Sequence, residues 1–322
     1  MVSNVVAAGD PDRPIVLQLT PYPDWVVKDV SRDFEVVASM TPDSWREVIL
    51  TRPASQIVGI ATSSRGQVSA ELLDSLPSLK IIACSSAGVD RIDVKRAAER
   101  GVRVTTAGAT LANDVADVAM GLLLSVGRRL VEADAFVRRG EWPNGDFPEA
   151  RSLTGRRLAI VGLGNIGCAV ARRAEAFGLE IGYTGRSRKA GVAYRFLDDC
   201  RQAAAWCDFL LLSCPGGTET RHLVNREVLS ALGKDGCLIN VARGSVVDQE
   251  ALVSAIETGA IAGAGLDVFA AEPEVPEALR RNARVVLLPH IGSSATECSR
   301  RQAQSMIDAL REHLVDNRAD GG

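Results

Sequence analysis

Histidine is scarce in this chain: its 322 residues hold only His222, His290 and His313. Any imidazole acting as an acid or base near neutral pH is therefore one of three. The seven cysteines, Cys84, Cys168, Cys200, Cys207, Cys214, Cys237 and Cys298, form no C-x-x-C pair. An odd, unpatterned set fits a reducing compartment, argues against a disulfide framework and lends no support to metal ligation. No apolar run approaches the ~18 residues of a membrane span, and the opening MVSNVVAAGDPDRP has neither the basic nor the apolar stretch of a leader. At a net charge of −3 the chain offers no basic field to nucleic acid and no single-sign block to a membrane. The expectation is a cytoplasmic enzyme with no metal and with no nucleic-acid or membrane partner.

What is present is patterned. Hydrophobic residues make up 46% and charged residues 24% of the sequence, a globular balance at a length that allows two domains. Residues 1 to about 13 read as a loose polar lead-in. Strand-like runs follow at Ile15 to Leu19, Phe34 to Ala38, Gln56 to Ala61, Leu79 to Cys84 and Val102 to Thr105, with helical candidates at Asp43 to Leu50, Ser69 to Leu76 and Ile92 to Arg100. Such alternation implies parallel βαβ units, here a flavodoxin-like domain. Ala112 to Arg139 reads as one long helix linking domains or meeting a second subunit, and the loop Gly140 to Ser152 carries Trp142 and Phe147. Further strands are expected at Phe209 to Ser213, Cys237 to Val241, Gly263 to Val268 and Val285 to Leu288. A last helix, Ser294 to Val315, opens with Ser294 and Glu297 in capping-box register. Should that helix return to the first domain, the cofactor domain is an insertion and the cleft between the two is the site. The expected fold is thus α/β with two doubly wound domains: residues 1–107 begin a substrate-binding domain, 108–290 form a Rossmann-type dinucleotide-binding domain, and 291–322 return to the first.

The centre of the pattern is Arg157 to Lys189. The run Leu158-Ala159-Ile160-Val161 leads into Gly162, Gly164 and Gly167, spaced G-x-G-x-x-G, then a helix that stops at Gly178 and a second strand to Thr184. In that context the first glycine permits a tight turn, the second lets backbone approach a pyrophosphate, and the third lets helix and strand pack closely. An NAD site places Asp or Glu near the end of the second strand to hold the ribose 2′-OH. Here the place reads Gly185-Arg186-Ser187-Arg188. Two guanidiniums around a hydroxyl suit a 2′-phosphate, so NADP(H) is favoured and NAD(H) stays possible.

His290 follows a strand-like run, whereas His222 sits in a polar loop and His313 near the end of the last helix. Arg243 and Glu272 also follow strand-like runs. Ligands of open α/β sheets bind outside the carboxyl ends of strands, so the three converge if their strands are neighbours.

The runs GLGNIG, NVARGSVVD, GAGLDVF, EPEVP and PHIGSSATE resemble the D-isomer-specific 2-hydroxyacid dehydrogenase family. YTGRSRK and RHLVNREVLSALGKDG resemble most closely its glyoxylate/hydroxypyruvate reductases. The resemblance spans Ser85 to Glu297. It implies an NADPH-preferring reductase of small 2-keto acids to D-2-hydroxy acids, acting as a homodimer in which Trp142 either reaches a neighbouring subunit's site or packs in the interface. Arg243 would bind the substrate carboxylate and polarise the keto oxygen, His290 would be the acid/base, and a buried Glu272 would orient the imidazole. Backbone N–H groups of Ala87 and Gly88 would take the carboxylate. Gly162, Gly164, Asn165, Ile166 and Gly167 would hold the pyrophosphate, and Gly185, Arg186, Ser187 and Arg188 the ribose phosphate. Pro215, Thr220, Val241, Ala242 and Gly292 would line the cofactor, with Asp267 meeting the nicotinamide amide. Gly216-Gly217 and Asp117 depart from the family pattern. The alternatives are an NAD-dependent enzyme of phosphoglycerate or D-lactate type, opposed by the missing acid near Gly185 and by the lack of a domain after Val315, and a nucleotide-sensing corepressor. A formate dehydrogenase reading is weaker, since that branch resembles a Gln-His pair.

Overall fold

A computed structural model describes residues 13–316; nearly all of the polar lead-in lies outside them. The chain divides into two compact units, one running to Leu111 and resuming at Thr296, the other spanning Ala112–Ala295. The expected divisions, at 107/108 and 290/291, differ for local reasons. The turn after Thr106 is tied to the first unit, through Ala107 N–H on the Ser86 carbonyl at 3.1 Å and Thr110 N–H on the Ala107 carbonyl at 3.0 Å. Ile291 and Gly292 are tied to Asp267 of the second.

In the first unit, β1 (Ile15–Gln18), β2 (Glu35–Ala38), β3 (Ile57–Thr62), β4 (Ile81–Cys84) and β5 (Arg103–Thr106) form a parallel sheet in the order β2-β1-β3-β4-β5. This is the flavodoxin-like order. Side chains alternate between its faces, as the period of a strand requires, apart from a register shift of β3 against β1 at Ile15/Val16 that skips Val58. Ile15, Leu17, Ile57 and Ile60 meet Leu72, Leu73 and Leu76 on one side. Val16, Val58, Ile81 and Ala83 meet Met306, Ile307 and Leu310 on the other. Those last three belong to helix Thr296–Arg311, which packs on β4 and on helix Asp24–Val30. Arg311 fixes the contact through Asp33 at 2.8 Å and Asp29 at 3.3 Å. Because this helix starts at Thr296, Ser294 lies before the cap position and the expected capping box does not form. Ser294 N–H instead closes a turn on the Ile291 carbonyl.

In the second unit, β6 (Arg157–Val161), β7 (Glu180–Thr184), β8 (Arg195–Phe196), β9 (Phe209–Leu212), β10 (Cys237–Asn240), β11 (Gly263–Leu266) and β12 (Val285–Leu287) are all parallel, ordered β12-β11-β10-β9-β6-β7-β8. Counted from β6 this is the dinucleotide-binding order with one strand added at the end. The order reverses between β6 and β9, and the glycine turn follows β6.

The single helix expected over Ala112 to Arg139 is two, Ala112–Gly127 and Leu130–Arg138. Between them Arg129 is left-handed at φ +53°. Its guanidinium donates to Glu132 at 2.6 Å and lies over the Phe147 ring at 4.8 Å. The first helix packs on β10, β11, β12 and helix Asn165–Ala176. Asp117 takes part in that packing, accepting from Arg173 Nε at 2.7 Å.

Candidate active site

The glycine turn divides its labour among three positions. Gly162 sits at φ +93°, and a Cβ there would lie 2.7 Å from the Cys214 Cα; a Cβ on Gly167 would lie 2.3 Å from the Gly162 carbonyl oxygen. Both are therefore packing glycines, one at the turn and one where helix meets strand. A Cβ on Gly164 would meet nothing within 4 Å, so space lies open in front of helix Asn165–Ala176. That helix has Gly164 as its N-cap with no side-chain capping bond, whereas Asp199, Asn225 and Asp248 cap three neighbouring helices. The N-terminal N–H groups, Asn165, Ile166 and Gly167 among them, thus have no side-chain cap at the positive end of the dipole. The donor set fits a pyrophosphate. At the end of β7, Gly185, Arg186, Ser187 and Arg188 are all exposed. Among the described residues neither guanidinium has an ion-pair or hydrogen-bond partner.

After β9, Pro215 and Thr220 share one loop, with Thr220 Oγ1 donating to the Pro215 carbonyl at 2.7 Å. Gly217, one of the two departures in this loop, has φ +126°, a conformation that favours glycine. After β10 come Val241, Ala242 and Arg243. Sequence reasoning missed the residue that shapes this turn, since Asn240 reads as the last polar residue of an apolar strand. It is buried. Its Oδ1 accepts from Ala242 N–H at 3.0 Å and its Nδ2 donates to the Arg243 carbonyl at 3.0 Å. Arg243 is half-buried and extended, with Nη1 donating to the Ala242 carbonyl at 2.7 Å.

Asp267 and Glu272 follow β11, and His290 follows β12. The imidazole Nδ1 lies 2.7 Å from Glu272 Oε2, while Glu272 Oε1 accepts from Phe269 N–H at 3.0 Å. The side chains are 43% and 34% exposed. Glu272 is therefore not the buried carboxylate expected, because it stands on a loop beyond the strand end. His290 is left-handed at φ +56° and donates its N–H to the Asp267 carbonyl at 2.9 Å. The Asp267 carboxylate is buried and accepts from Ile291 N–H at 2.7 Å and Gly292 N–H at 2.8 Å. Burial pushes its carboxyl pKa up; those two bonds and the nearby His290 oppose the shift. Both its oxygens thus have partners in the chain, a role that its expected contact with a nicotinamide does not include.

Since β10, β11 and β12 are consecutive neighbours, Arg243, Glu272 and His290 leave one end of the sheet from adjacent strands, about 5 Å apart. The remaining histidines stay outside: His222 donates its N–H to the Ser245 carbonyl, and His313 lies in the turn Glu312–Asp316 of the first unit. A cavity of about 220 Å³ between Val126, Phe209, Cys237 and Arg284 opens at the amino ends of the strands, the wrong end for a ligand of such a sheet.

In the first unit, Ala87 and Gly88 sit in the loop after β4. Ser86 Oγ accepts from Ser64 N–H at 3.0 Å and Tyr22 Oη lies 3.1 Å from Ser85 Oγ, so the loop is pinned from two sides. Among the described residues the Ala87 and Gly88 N–H groups have no hydrogen-bond partner. Burial pushes the Tyr22 hydroxyl up to about 12.

The family profile "D-isomer specific 2-hydroxyacid dehydrogenase, NAD binding domain" matches residues 120–292. A hydroxyphenylpyruvate reductase of Plectranthus scutellarioides is 42% identical over 299 residues, 93% of this chain and 95% of that protein. A glyoxylate/hydroxypyruvate reductase of Arabidopsis thaliana is 38% identical over the same shares. Among solved structures, the NADPH-dependent glyoxylate/hydroxypyruvate reductase of Sinorhizobium meliloti, crystallised with NADP and malonate, matches at TM-score 0.87 and 40% identity over 94% of both chains.

Proposed function

The chain belongs to the D-isomer-specific 2-hydroxyacid dehydrogenase family, and from that premise we propose that it is an NADPH-preferring reductase of small 2-keto acids, glyoxylate and hydroxypyruvate foremost. The reaction class, reduction of a 2-keto acid with NAD(P)H, is the family's. The single observation that carries the site assignment is the Glu272–His290 pair beside the Arg243 strand end.

Glu272 is an acceptor only, so the Nδ1 of His290 must be the donor, and Nε2 is left for the substrate. When bound, NADPH supplies the hydride to the keto carbon. His290 as the imidazolium donates its Nε2 proton to the keto oxygen, and Glu272 stabilises that cation and holds the ring plane. Arg243 takes the substrate carboxylate through its planar fork and polarises the keto oxygen. Arg186 and Arg188, exposed at the end of β7 with no acid beside them, support the 2′-phosphate and hence NADPH. The similarity to the NADPH-dependent reductase of Sinorhizobium meliloti supports the same choice.

The reading extends to a cytoplasmic homodimer. Leu130, Val131, Val137 and Trp142, each about half exposed or more, support a second copy covering the helix Leu130–Arg138 and the turn after it.

Initial rates with NADPH and NADH against glyoxylate, hydroxypyruvate, pyruvate and phosphohydroxypyruvate test the proposal. NADPH preference with either of the first two is expected. Replacing both Arg186 and Arg188 with Gln should raise the NADPH KM about ten-fold or more and leave the NADH KM within about two-fold. Equal effects on the two cofactors would return the arginines to solvent, and NADH preference in the unaltered enzyme would overturn the cofactor assignment.

A further inference from the structure

The proton-transfer pair stands on a loop, and something must hold that loop. The bond from Phe269 N–H to Glu272 Oε1 lies inside it, so it orients the carboxylate relative to the loop but does not anchor the loop itself. Two contacts tie it to the segment that follows Arg243. A Cβ on Gly244 would fall 1.9 Å from the Phe269 carbonyl carbon and 2.0 Å from its oxygen, so the two turns meet backbone to backbone. Five residues on, Gln249 Oε1 accepts from Ala270 N–H at 3.1 Å. Gln249 is the first residue of helix Gln249–Glu257, whose Ala251, Leu252, Ala255 and Ile256 are buried. The approach to that helix is fixed as well, by Asp248 N–H on the Val224 carbonyl at 2.9 Å and by Ala251 N–H on Asp248 Oδ1 at 3.1 Å.

We propose that Gln249 is a positioning residue for the acid/base pair: its amide oxygen hangs the Glu272 loop from a rigid helix and so sets the plane of His290. This rests on the reading above, in which Glu272 and His290 carry the proton. The arrangement couples the two halves of the chemistry, because the same short segment begins with Arg243 and ends with Gln249. Backbone contact at Gly244 sets the spacing of the two turns, and the hydrogen bond at Gln249 sets their relative rotation.

The test compares Gln249→Leu, similar in length but without an acceptor, with Gln249→Glu, which keeps one. Leucine should lower kcat about ten-fold, the loss of roughly one hydrogen bond to a group near the reacting atoms, with the NADPH Kd unchanged within two-fold. Glutamate should restore most of kcat. A second readout needs no turnover: ring ¹⁵N shifts of His290, one of three histidines to assign, recorded where the ring is neutral, should report the Nδ1–H tautomer in the unaltered protein and a shift toward Nε2–H in Gln249→Leu. Gln249→Ala provides the same comparison if leucine perturbs the fold. Unchanged kcat and tautomer in Gln249→Leu would overturn the proposal, as would a glutamate variant as impaired as the leucine one. Failure of the unaltered enzyme on every 2-keto acid would instead overturn the functional reading, and the tautomer comparison would still decide the role of Gln249.

Discussion

His290 occupies a backbone conformation, φ +56°, that residues with a Cβ adopt seldom and at a cost on the order of 1–3 kcal/mol. The surroundings over-determine it: its N–H is taken by the Asp267 carbonyl, the next two N–H groups by the Asp267 carboxylate, and its Nδ1 by Glu272. Backbone strain held by four hydrogen bonds fixes the direction of one ring, as general acid catalysis requires of a group that must reach a single oxygen. Removing the ring therefore removes the proton and little else. His290→Ala should reduce kcat for hydroxypyruvate about a thousand-fold while the NADPH Kd, followed by fluorescence titration, stays within about two-fold of its starting value. Turnover that survives the substitution would end the acid/base assignment.

Among the elements, the glycine turn separates stability from ligand binding within three residues. Gly162→Ala places a methyl group at a left-handed position against the Cys214 backbone and should cost about 2–4 kcal/mol in urea unfolding. Gly164→Ala meets no atom of the protein and sits at φ −82°. It should leave stability within about 0.5 kcal/mol and weaken NADPH binding about ten-fold, by filling the space the pyrophosphate would approach. Tight binding by the Gly164 variant would mean that no phosphate comes near that turn. This turn was legible in the sequence because the glycine spacing falls where an apolar strand gives way to a helix, and so were the strands, whose apolar runs are short and β-branched. The break at Arg129 was not, since a helix-compatible run of residues gives no local sign that a distant ring, Phe147, rewards the guanidinium for leaving the helix. The strand β8, two residues long, is too short to show a period. Arg243, Glu272 and His290 were expected to converge because each follows a strand-like run, and the neighbouring strands β10, β11 and β12 do bring them to one end of the sheet. Gly244 and Gln249 were not, because their partners lie on another turn and only the folded sheet brings them into contact; Asn240 bonds within its own turn, to Ala242 and Arg243, and in the sequence is only the last polar residue of an apolar strand.

At the scale of the whole molecule, the cysteines set a limit on alkaline stability. All seven are free, and six are buried, with Cys168 half-buried; about one thiol should react with Ellman's reagent in the native protein and all of them in denaturant. Within the core of the second unit, burial pushes the Cys200 thiol from 9.0 to about 12 and the Cys237 thiol from 9.0 to about 11. Cys214 is pushed up likewise to about 11. The sign follows from proton counts. Between pH 9 and the native values the unfolded chain has released these protons and the folded one has kept them, so the native state binds more protons and stability falls as pH rises. The stabilising contribution of the neutral thiols is fully present below about pH 9 and is lost progressively toward pH 11 to 12. A series of thermal melts from pH 7.5 to 10.5 should therefore show Tm roughly level at first and falling above pH 9. The double variant Cys200→Ala/Cys237→Ala should start about 1–3 kcal/mol less stable, from the small cavities left behind, yet fall less steeply, because two of the groups that ionise only on unfolding are gone. Parallel slopes in the two proteins would mean that other groups, the lysines and tyrosines of the surface, govern the alkaline limb and that the buried thiols are spectators.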